Sequence, residues 1–555
     1  MSAKILDSSA LFSLGWEPSS PFKTAVWITS QYLKKCNIFT GENRMKLDIL
    51  FINPGNSTAI YQDLAKDYSA IETPTWALLL AQSMRSAGFT TGIFDVNAER
   101  LSTKDAVEKL KKANVRLFCF VVYGQNPNSG TVNMGGAVKL ADAIKEAGLK
   151  TPICFVGSHV SALPLEVLNT EPSVDIVLVN EGVYALRNLL AIDLDDETEI
   201  ENIRGIGHRF NGQAQLTPPE MIVSQDRMDE DLPGYAWDLL PYNKTPLDLY
   251  RSHFWHAEYD HKKRTPFAAL YTSLGCPFKC EFCMINILNR NDTNPIGNAA
   301  NYAKMRFWSP EFIIKEFDKL VDMGVRTLRI SDEMFLLNKK YYVPLCELIK
   351  EKGYGEKLRM WAYSRIDTVR DHEQLKLIRE AGIKWLCLGI ESGEKRIRLE
   401  VTKGKFEDVD IREVVRRVHE ADIEIIANYL FGLPGDTMET MRKTLDLSLE
   451  LNTMAWNAYA VMALPGSGLY KNAIENGYEL PDDYEGYSFH SYNTLPLPSE
   501  HLSPAEILGF RDKAYSQFHT YPPFLEKIRD NYGDVAERNI REMTKIKLKR
   551  KILGD

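Results

Sequence analysis

From residue 46 onwards, short apolar runs alternate with amphipathic stretches, and this alternation predicts a parallel sheet in the first part of the chain. The stretches at 74–87 and 131–147 have helical spacing and are followed by Gly88 and Gly148. Glycine is the usual residue just after a helix, so both helices are predicted to end there. Continuous apolar strands separated by helices indicate a parallel sheet that is covered on both faces. The predicted strands are 47–52, 91–95, 116–122, 153–156 and 174–179.

The same rhythm of strand and helix returns in the second half of the chain. Ser309, Pro310 and Glu311 are typical of a helix start, with an N-cap, a first-turn proline and a carboxylate near the positive helix end. Six strands in this rhythm fit a partial (β/α)6 TIM-like barrel, whose site lies at the carboxyl ends of the strands. These strands are predicted at 267–274, 325–330, 358–362, 384–390, 423–430 and 455–462.

The fold class is therefore α/β, with a Rossmann-like doubly wound parallel sheet, a partial barrel and a C-terminal helical extension. An acidic stretch at 195–201 and a predicted hairpin at Asn211 and Gly212 mark the connector between the two sheets. The tyrosine-rich loop at 478–492 either closes the barrel over a substrate or packs against it. The predicted regions are an N-terminal extension 1–45, a first domain 46–193, a connector 194–262, the barrel 263–470 and an extension 471–555.

Length and composition limit the classes of protein to consider. A chain of 555 residues is expected to form two or three domains, and 44% apolar with 26% charged residues is typical of soluble proteins. A net charge of -8 argues against nucleic-acid binding. We expect no signal peptide, because the N-terminus lacks a basic region followed by an apolar core and a small-residue cleavage site. We expect no membrane partner, because no run approaches about 18 consecutive apolar residues. Scattered cysteines indicate buried thiols and a cytoplasmic location; they are Cys36, Cys119, Cys154, Cys346 and Cys387.

Polar residues and glycines follow four of the five strands predicted in the first domain. Ligands on parallel sheets bind beyond the carboxyl ends of the strands, so these turns predict a ligand site rather than plain connectors. Glycines let a ligand approach the backbone, and amides and hydroxyls can hydrogen-bond its polar rim. The residues are Asn53, Pro54, Gly55 and Asn56, then Tyr123, Gly124, Gln125, Asn126 and Pro127, then Gly157, Ser158 and His159, and finally Asn180, Glu181 and Gly182.

Three thiols follow the first strand of the second domain, in the segment GCPFKCEFCM. Cys276, Cys280 and Cys283 have the spacing C-x3-C-x2-C. Thiolates are soft ligands that select iron-sulfur clusters, zinc or copper. A structural zinc site would require a fourth Cys or His nearby, and residues 284–345 contain neither. A four-iron cluster held by three cysteines keeps one iron open, so the count of three indicates chemistry at the cluster.

This spacing, with Phe282 before the last cysteine, resembles the signature of radical S-adenosylmethionine (SAM) enzymes. The resemblance implies that the three cysteines bind a 4Fe-4S cluster and that SAM chelates the fourth iron. It further implies that SAM is cleaved to a 5'-deoxyadenosyl radical. Polar residues at the barrel strand ends match the SAM contacts of that family. The predicted SAM-binding residues are Phe282, Asp332, Glu333, Ser364, Arg365, Gly389 and Glu391.

The first domain resembles the cobalamin-binding domain that precedes the radical SAM domain in one large subgroup. Its first loop lacks D-x-H-x-x-G, so no histidine is expected to bind cobalt from below. His159 is either a cofactor contact or a structural loop histidine. The residues predicted to bind cobalamin are Asn53, Pro54, Tyr123, Gly124, Gln125, Asn126, Gly157, Ser158, His159, Glu181 and Gly182.

The combined resemblance implies a cobalamin-dependent radical SAM enzyme that methylates an unactivated carbon of a small-molecule substrate. A flavodoxin or ferredoxin is the expected electron donor. The nearest alternative keeps the cofactors but catalyses a cyclisation or rearrangement without methyl transfer. A methylthiotransferase would require a second cysteine trio, and Cys36, Cys119 and Cys154 are too dispersed to form one. A noncatalytic sensor would require an output module, and none is evident in the sequence.

Overall fold

The computed structural model of the chain describes residues 46–125, 127–403, 406 and 409–555, so the predicted N-terminal extension lies outside the described residues. The first domain is built on a seven-stranded sheet. Its strands are β1 Lys46–Asn53, β2 Thr91–Asp95, β3 Asn114–Val121, β4 Ile153–Val156, β5 Ile176–Leu178, β6 Ile206–Phe210 and β7 Gln213–Leu216. Their order in the sheet is β2-β1-β3-β4-β5-β6-β7. Strands β1 to β5 are parallel, and β6 and β7 continue the sheet antiparallel.

Helices cover both faces of this sheet, as the continuous apolar strands predict. Along β1, Ile49 and Phe51 join one buried cluster, whereas Leu50 and Ile52 join a second cluster on the opposite face. Alternate side chains of a strand point to opposite faces, so both faces are packed. The helices of this region are Ser57–Tyr61, Leu64–Asp67, Thr75–Ser86, Thr103–Leu110, Gly130–Glu146, Ser158–Ala162, Pro164–Thr170, Val183–Leu190, Glu197–Glu201 and Met228–Asp231.

The hairpin predicted at Asn211 and Gly212 is present, but it belongs to the first sheet and not to a free connector. Both residues have positive φ, 49° and 80°, as the tight turn of a two-residue hairpin requires. Strand β6 pairs antiparallel with β5 and covers the edge that β5 would otherwise leave unpaired. The predicted parallel sheet is therefore a mixed sheet that extends past residue 193.

The second domain is an open half-barrel of six parallel strands. The predicted strand 267–274 is split in two, and its second half pairs antiparallel with a strand that the sequence did not reveal. The strands are β8 Phe267–Leu270, β9 Ser273–Cys276, β10 Lys304–Phe307, β11 Thr327–Ile330, β12 Arg359–Arg365, β13 Ile383–Glu391, β14 Glu424–Phe431 and β15 Ala455–Ala460. The half-barrel has the order β15-β14-β13-β12-β11-β8, while β9 and β10 form a separate pair.

Helices pack outside the half-barrel and along its last strand. Ser309 caps its helix as predicted, because its side chain accepts a hydrogen bond from the amide of Phe312. The C-terminal helix Pro504–His519 covers the β15 edge, where Arg511 donates to the carbonyl of Ala458 at 2.9 Å. The helices are Pro310–Asp322, Lys339–Glu351, Tyr354–Lys357, His372–Glu380, Lys395–Val401, Ile411–Glu420, Met438–Leu451, Gly468–Asn476, Pro504–His519, Pro522–Tyr532 and Asp534–Lys545.

The carboxyl ends of the two sheets face each other. A buried ion pair joins Glu181, after β5, to Arg306 on β10, with Nη2 to Oε2 at 2.7 Å. The amide of Glu181 also donates to the carbonyl of Leu288 at 3.0 Å. Loops that follow strands of the two domains are therefore in direct contact. Within the residues that the structure describes, no helix is both long and apolar enough to span a membrane.

Candidate active site

The cysteine loop begins at β9, where the backbone requires a glycine. Gly275 has a φ of +81°, and a Cβ there would clash with the carbonyl oxygen of Lys304. The amide of Cys276 donates to Oδ1 of Asn286 at 2.9 Å, and Nδ2 of Asn286 donates to the carbonyl of Phe278 at 3.2 Å. One asparagine, which is not among the predicted site residues, thus ties the start of the loop to its end.

The three cysteines of this loop are partly exposed as residues, although their thiols lie inwards, and they form no disulfide. Burial raises the pKa of Cys276 to about 12, that of Cys280 to about 11 and that of Cys283 well above its usual range. Among the described residues, no three His, Cys, Asp or Glu side chains converge closely enough to hold one metal ion. Each cysteine of a 4Fe-4S cluster binds a different iron, so cluster ligands need not converge on one point. The donor set fits a cluster better than a single zinc ion.

Asp332 holds the turn between β8 and β9 that leads into the cysteine loop. Its carboxylate accepts hydrogen bonds from the amide of Thr272 at 2.6 Å, the hydroxyl of Thr272 at 2.7 Å and the hydroxyl of Ser273 at 2.5 Å. Burial raises its pKa to about 6, against these hydrogen bonds, which lower it. This geometry makes Asp332 a positioning residue, and the SAM contact predicted for it remains a prediction.

Two further predicted carboxyl groups lie close enough to the cysteines to raise the pKa of the thiols, Glu333 that of Cys276 and Cys283 and Glu391 that of Cys280. Burial raises the pKa of Glu333 to about 8, and the neighbouring Arg329 opposes this shift. Burial also raises the pKa of Glu391 to about 7. Glu391 has a φ of 66°, and its Oε1 would lie 2.5 Å from a Cβ on Gly389, so a side chain at position 389 would displace this carboxyl group. Both carboxyl groups are available for a polar ligand.

Arg365 and Ser364 end β12 beside the cysteine loop. The guanidinium of Arg365 lies 3.8 Å from the centroid of the Phe278 ring and donates to Asp367 at 2.9 and 2.6 Å. Its charge lowers the pKa of Cys280, against the larger effect of burial. Ser364 shares a 2.7 Å hydrogen bond with the hydroxyl of Thr368. The predicted contacts of both residues with SAM remain predictions.

Phe282 is half-buried in an apolar cluster next to the loop. This cluster contains Met284, Val401 and Leu433 and joins the barrel to the helix Ser158–Ala162 of the first domain. Packing of this kind would orient the ring beside the cysteines. The predicted contact between Phe282 and adenine remains a prediction.

The floor of the barrel holds a buried group that the sequence did not single out. Arg329 on β11 pairs with Glu72 of the first domain, and Nε2 of His253 lies 3.0 Å from Oε1 of Glu72. Burial opposes the charge on Glu72, but Arg329 and His253 hold its pKa below the usual value. In the sequence, an arginine inside an apolar strand is a signal that could have marked Arg329 as a candidate site residue. The sequence around Glu72 contains no such signal.

On the first domain, the predicted cobalamin contacts fall into two groups. The first group, Gly157, Ser158 and His159, follows β4, and its backbone packs closely against the backbone of the loop after β3. A Cβ on Gly157 would meet the carbonyl oxygen of Val122 at 2.6 Å, and the hydroxyl of Ser158 donates to the carbonyl of Pro127 at 2.5 Å. His159 shares a 3.2 Å hydrogen bond with Thr131 through Nδ1.

Nε2 of His159 is buried and has no hydrogen-bond partner among the described residues. Burial lowers the pKa of this imidazole to about 3, so the ring is neutral at pH 7. Its ring lies edge-on to Tyr484 of the C-terminal extension, with centroids 5.2 Å apart. A buried polar atom without a partner costs free energy, so this position fits a polar ligand such as the corrinoid tail. Nε2 of His159 is therefore the atom of this loop that fits the predicted cofactor, whereas the hydroxyl of Ser158 already has a protein partner. The cobalamin contacts predicted for Gly157, Ser158 and His159 remain predictions.

The second group is already occupied by protein partners. Nδ2 of Asn53 donates to Asp95 at 2.8 Å, Glu181 pairs with Arg306, and Tyr123 stacks on Trp76 with centroids 4.6 Å apart. The remaining predicted contacts lie in the same loops, except that Asn126 is outside the described residues. They are Pro54, which is buried, Gly124 and Gly182, which have positive φ, and Gln125, which is partly exposed.

The loop after β3 reaches the cysteine loop directly. The amide of Met284 donates to Oδ1 of Asn128 at 3.0 Å, and Nδ2 of Asn128 lies 3.9 Å from the sulfur of Cys283. Asn128 lies in the short 3-10 helix Pro127–Ser129 and was not among the predicted site residues. The ligand edge of one domain thus touches the cysteines of the other.

Comparison with known proteins agrees with this division. Residues 62–190 match the family of B12 binding domains, and residues 270–448 match the radical SAM superfamily. The chain is a cobalamin-dependent radical SAM enzyme, with a B12-binding domain before a radical SAM domain. The predicted cofactors, a 4Fe-4S cluster, SAM and cobalamin, are confirmed as classes by these matches, and so is the predicted α/β architecture.

Similar proteins extend along most of the chain. An uncharacterized methyltransferase of Pyrococcus horikoshii is 25% identical over 505 residues, which cover 90% of this chain and 98% of that protein. The anaerobic magnesium-protoporphyrin IX monomethyl ester cyclase of Cereibacter sphaeroides is 23% identical over 486 residues, which cover 85% and 70%. The structure of the radical SAM methyltransferase TsrM of Kitasatospora setae aligns with a TM-score of 0.61 at 16% identity, covering 90% of this chain and 100% of that chain. The likeness to TsrM concerns the fold.

Proposed function

We propose that this enzyme methylates an unactivated carbon of a small-molecule substrate. The observation that carries the proposal is the contact of Asn128 with the cysteine loop, because it brings the ligand edges of both domains together. A small molecule between these edges can reach both cofactors at once. The similarity to the Pyrococcus horikoshii protein, which is named a methyltransferase, supports the same reaction.

A cluster held by Cys276, Cys280 and Cys283 would supply the electron for the cleavage of SAM, and cobalamin bound beside His159 would supply the methyl group. The chain's own residues provide the frame for this chemistry. Gly275, Asn286 and Asp332 position the cysteine loop and the turn before it. Glu333 is mostly protonated at pH 7 because burial raises its pKa to about 8, so it can donate a hydrogen bond to a ligand.

Aromatic side chains close the floor of the barrel against water. Trp361 on β12 packs against His256 with ring centroids 3.7 Å apart and stacks on Phe267 at 5.8 Å. All three side chains are buried. Radical chemistry requires protection from solvent, and this layer excludes water from below the site.

A cyclisation or rearrangement without methyl transfer is the second candidate. The specific observation in its favour is the 23% identity to the magnesium-protoporphyrin cyclase over 85% of this chain. The two reactions differ in one product property, the gain of a methyl group. They can therefore be separated even while the substrate is unidentified.

The test uses the anaerobically reconstituted protein, SAM with a deuterated methyl group, and a metabolite extract. We expect 5'-deoxyadenosine together with a small molecule that has gained the labelled methyl group, detected by mass spectrometry. Formation of 5'-deoxyadenosine with an altered but unlabelled product would support the cyclase reaction. Absence of 5'-deoxyadenosine under reducing conditions would contradict both.

A methylthiotransferase reaction finds less support in the fold. It would require a second set of cysteines that face a ligand. Cys119 and Cys154 are buried register partners on β3 and β4, inside the first sheet, and Cys36 lies outside the described residues. Methyl transfer and cyclisation therefore stay the two candidate reactions.

We further propose a flavodoxin or ferredoxin as electron donor. The side chain of Lys279, next to Cys280, is exposed beside the partly exposed cysteine loop. Such small electron carriers are acidic, and opposite charges accelerate association. In Lys279→Glu, reduction of the cluster by flavodoxin should slow, whereas reduction by dithionite should not. Equal slowing with both reductants would contradict this docking site.

A further inference from the structure

The pair of Arg329 and Glu72 in the barrel floor is held in place by its surroundings. Backbone hydrogen bonds of 3.0 Å in both directions join Ile71 to Arg251, just before Glu72. Just after it, the hydroxyl of Thr73 accepts from the amide of Ala269 at 2.9 Å and donates to its carbonyl at 3.1 Å. Glu72 is therefore anchored on both sides.

Ala269 is also the residue that stands opposite Arg329 in the register of β8 and β11. Its methyl group leaves room for a carboxylate from another domain to reach the guanidinium. The side chains of Arg329 and Glu72 are only 2% and 7% exposed. A buried pair of this kind is costly to form, because both charges lose their hydration.

Arg329 leans towards the carboxyl ends of the strands. In the register of β11 and β12 it stands opposite Trp361, but its guanidinium lies over the ring of Tyr363, 4.8 Å from the centroid. Tyr363 is two residues closer to the edge that carries the cysteine loop. The guanidinium thus lies closer to that edge than its place in the β11 register alone would put it, on the ligand side of Trp361.

One edge of this guanidinium has no partner. Nη1 donates to Glu72, whereas Nε is buried and has no hydrogen-bond partner among the described residues. The Nε side of arginine presents two parallel N–H groups, which match the two oxygens of a carboxylate. His253 and Arg329 also share the carboxylate of Glu72. Another carboxyl group close to Arg329 is that of Glu333, whose pKa burial raises to about 8.

We propose that Arg329 binds a carboxylate of the substrate through its free Nε edge, with Glu72 as the residue that positions it. This inference rests on the proposed function only in that the bound molecule is the one that reacts. The Tyr363 ring lies against the guanidinium, and the charge of Arg329 also lowers the pKa of Tyr61 and Tyr459 against the larger effect of burial. The substrate class is a carboxylic acid with an apolar or aromatic body.

The test measures binding and requires no turnover. The probes are phenylacetate, 4-hydroxybenzoate and indole-3-acetate, each paired with its primary amide, on protein loaded with cluster, SAM and cobalamin. By titration calorimetry, we expect at least one acid to bind roughly tenfold more tightly than its amide, because a charge-assisted hydrogen bond is lost in the amide. Arg329→Gln should abolish this preference, and Arg329→Lys should retain part of it.

Glu72→Gln is the matched variant, since it removes the other half of the pair. If Arg329 binds the acid, Glu72→Gln should retain or increase the preference, because the guanidinium loses a competing carboxylate. If the pair only stabilises the fold, both variants should lose binding to the same extent. Arg329→Gln leaves the Glu72 carboxylate buried without its arginine partner, and the variant could therefore lose cluster or cobalamin. In that case the double variant, Glu72→Gln with Arg329→Gln, is used in its place, because it leaves no unpaired charge.

Three results would overturn the proposal. They are the failure of every acid to bind, equal binding of acids and amides, and a preference that survives in Arg329→Gln. None of these depends on methyl transfer. A protein that prefers acids but transfers no methyl group would overturn the proposed reaction and leave the carboxylate site intact. A protein that transfers a methyl group but shows no preference for acids would overturn the carboxylate site and leave the proposed reaction intact.

Discussion

The two ligand edges of this enzyme differ in how they use their polar residues. On the barrel, the Glu333 and Glu391 carboxyl groups remain available to a ligand, with pKa values raised by burial to about 8 and about 7. On the first domain, Asn53 and Glu181 are bound to Asp95 and Arg306. The barrel edge thus keeps these carboxyl groups for ligands, whereas the first edge uses several of its polar side chains to hold the protein together.

The difference teaches that a polar residue at a strand end is not by itself a ligand contact. A loop at an interface must satisfy its own buried polar groups before it can serve a cofactor. Glu181 shows this, because its carboxylate accepts from Arg306 and from the amide of Val223 at 2.6 Å. In the first domain, the unsatisfied Nε2 of His159 is a better indicator of the cofactor than these occupied groups.

The largest expected effect is the loss of the cluster in Cys280→Ala. Two cysteines cannot hold a 4Fe-4S cluster stably, so iron and labile sulfide should fall to background after reconstitution. Cobalamin uptake by the first domain should remain close to that of the native protein, because Cys280 lies on the barrel. Loss of both cofactors together would show that the two edges do not bind ligands independently.

The next largest effect should come from Arg306→Gln. This change leaves Glu181 buried without its charged partner, and breaking such a pair costs about 3–5 kcal/mol. Urea or thermal unfolding should therefore show a strong loss of stability. Arg412→Gln is the control, because the Arg412–Glu450 pair is exposed and should contribute under about 1 kcal/mol. Similar losses in both variants would contradict the role assigned to Glu181.

A smaller effect is expected in the pH dependence of stability, because each edge contains a buried aspartate whose pKa is raised. Burial raises the pKa of Asp332 and of Asp95 to about 6, from an ordinary value of 3.8. The folded protein therefore retains these protons to higher pH than the unfolded chain. The free energy of unfolding should fall between about pH 4 and pH 6, by up to roughly 3 kcal/mol for each group.

Asparagine variants of these two residues distinguish the contribution of the barrel edge to the pH dependence from that of the first domain. Asp332→Asn and Asp95→Asn should each flatten the fall in stability between about pH 4 and pH 6. Only Asp332→Asn should also lower iron loading, because Asp332 holds the turn before the cysteine loop. An unchanged pH profile in both variants would show that other groups titrate in this range.

The smallest effect should come from Asn128→Ala. It removes the hydrogen bond to the amide of Met284 and the contact with Cys283, which together contribute about 1 kcal/mol. We expect a small loss of stability and a shift in the visible absorption of the bound cluster. Asn133→Ala is the control, because Asn133 bonds within the first domain, to the carbonyl of Ser129 at 2.8 Å. The spectrum should not change in that variant.

Much of the fold could be predicted because its signals are local. The apolar runs of β1 to β5 and of the six barrel strands are visible in single segments, and so is the cysteine spacing. The residues that were missed act over long distances in the chain. Asn128 and Met284 are 156 residues apart, and Glu72 and Arg329 are 257 residues apart. A local pattern can mark one member of such a pair, as the arginine inside the apolar strand β11 does, but it does not identify the distant partner.

The sequence by itself determined the two sheets, the order of the domains and the three thiols, because periodicity and spacing follow from how one segment folds. Only the tertiary structure decided which polar residues are free to bind ligands. Asp332 and Glu333 are neighbours in the chain, yet the carboxylate of Asp332 holds a turn, whereas Glu333 acts electrostatically on Cys276 and Cys283. The physical reason is that a buried polar group is satisfied by whatever the fold brings within hydrogen-bond distance, and that depends on packing between distant segments.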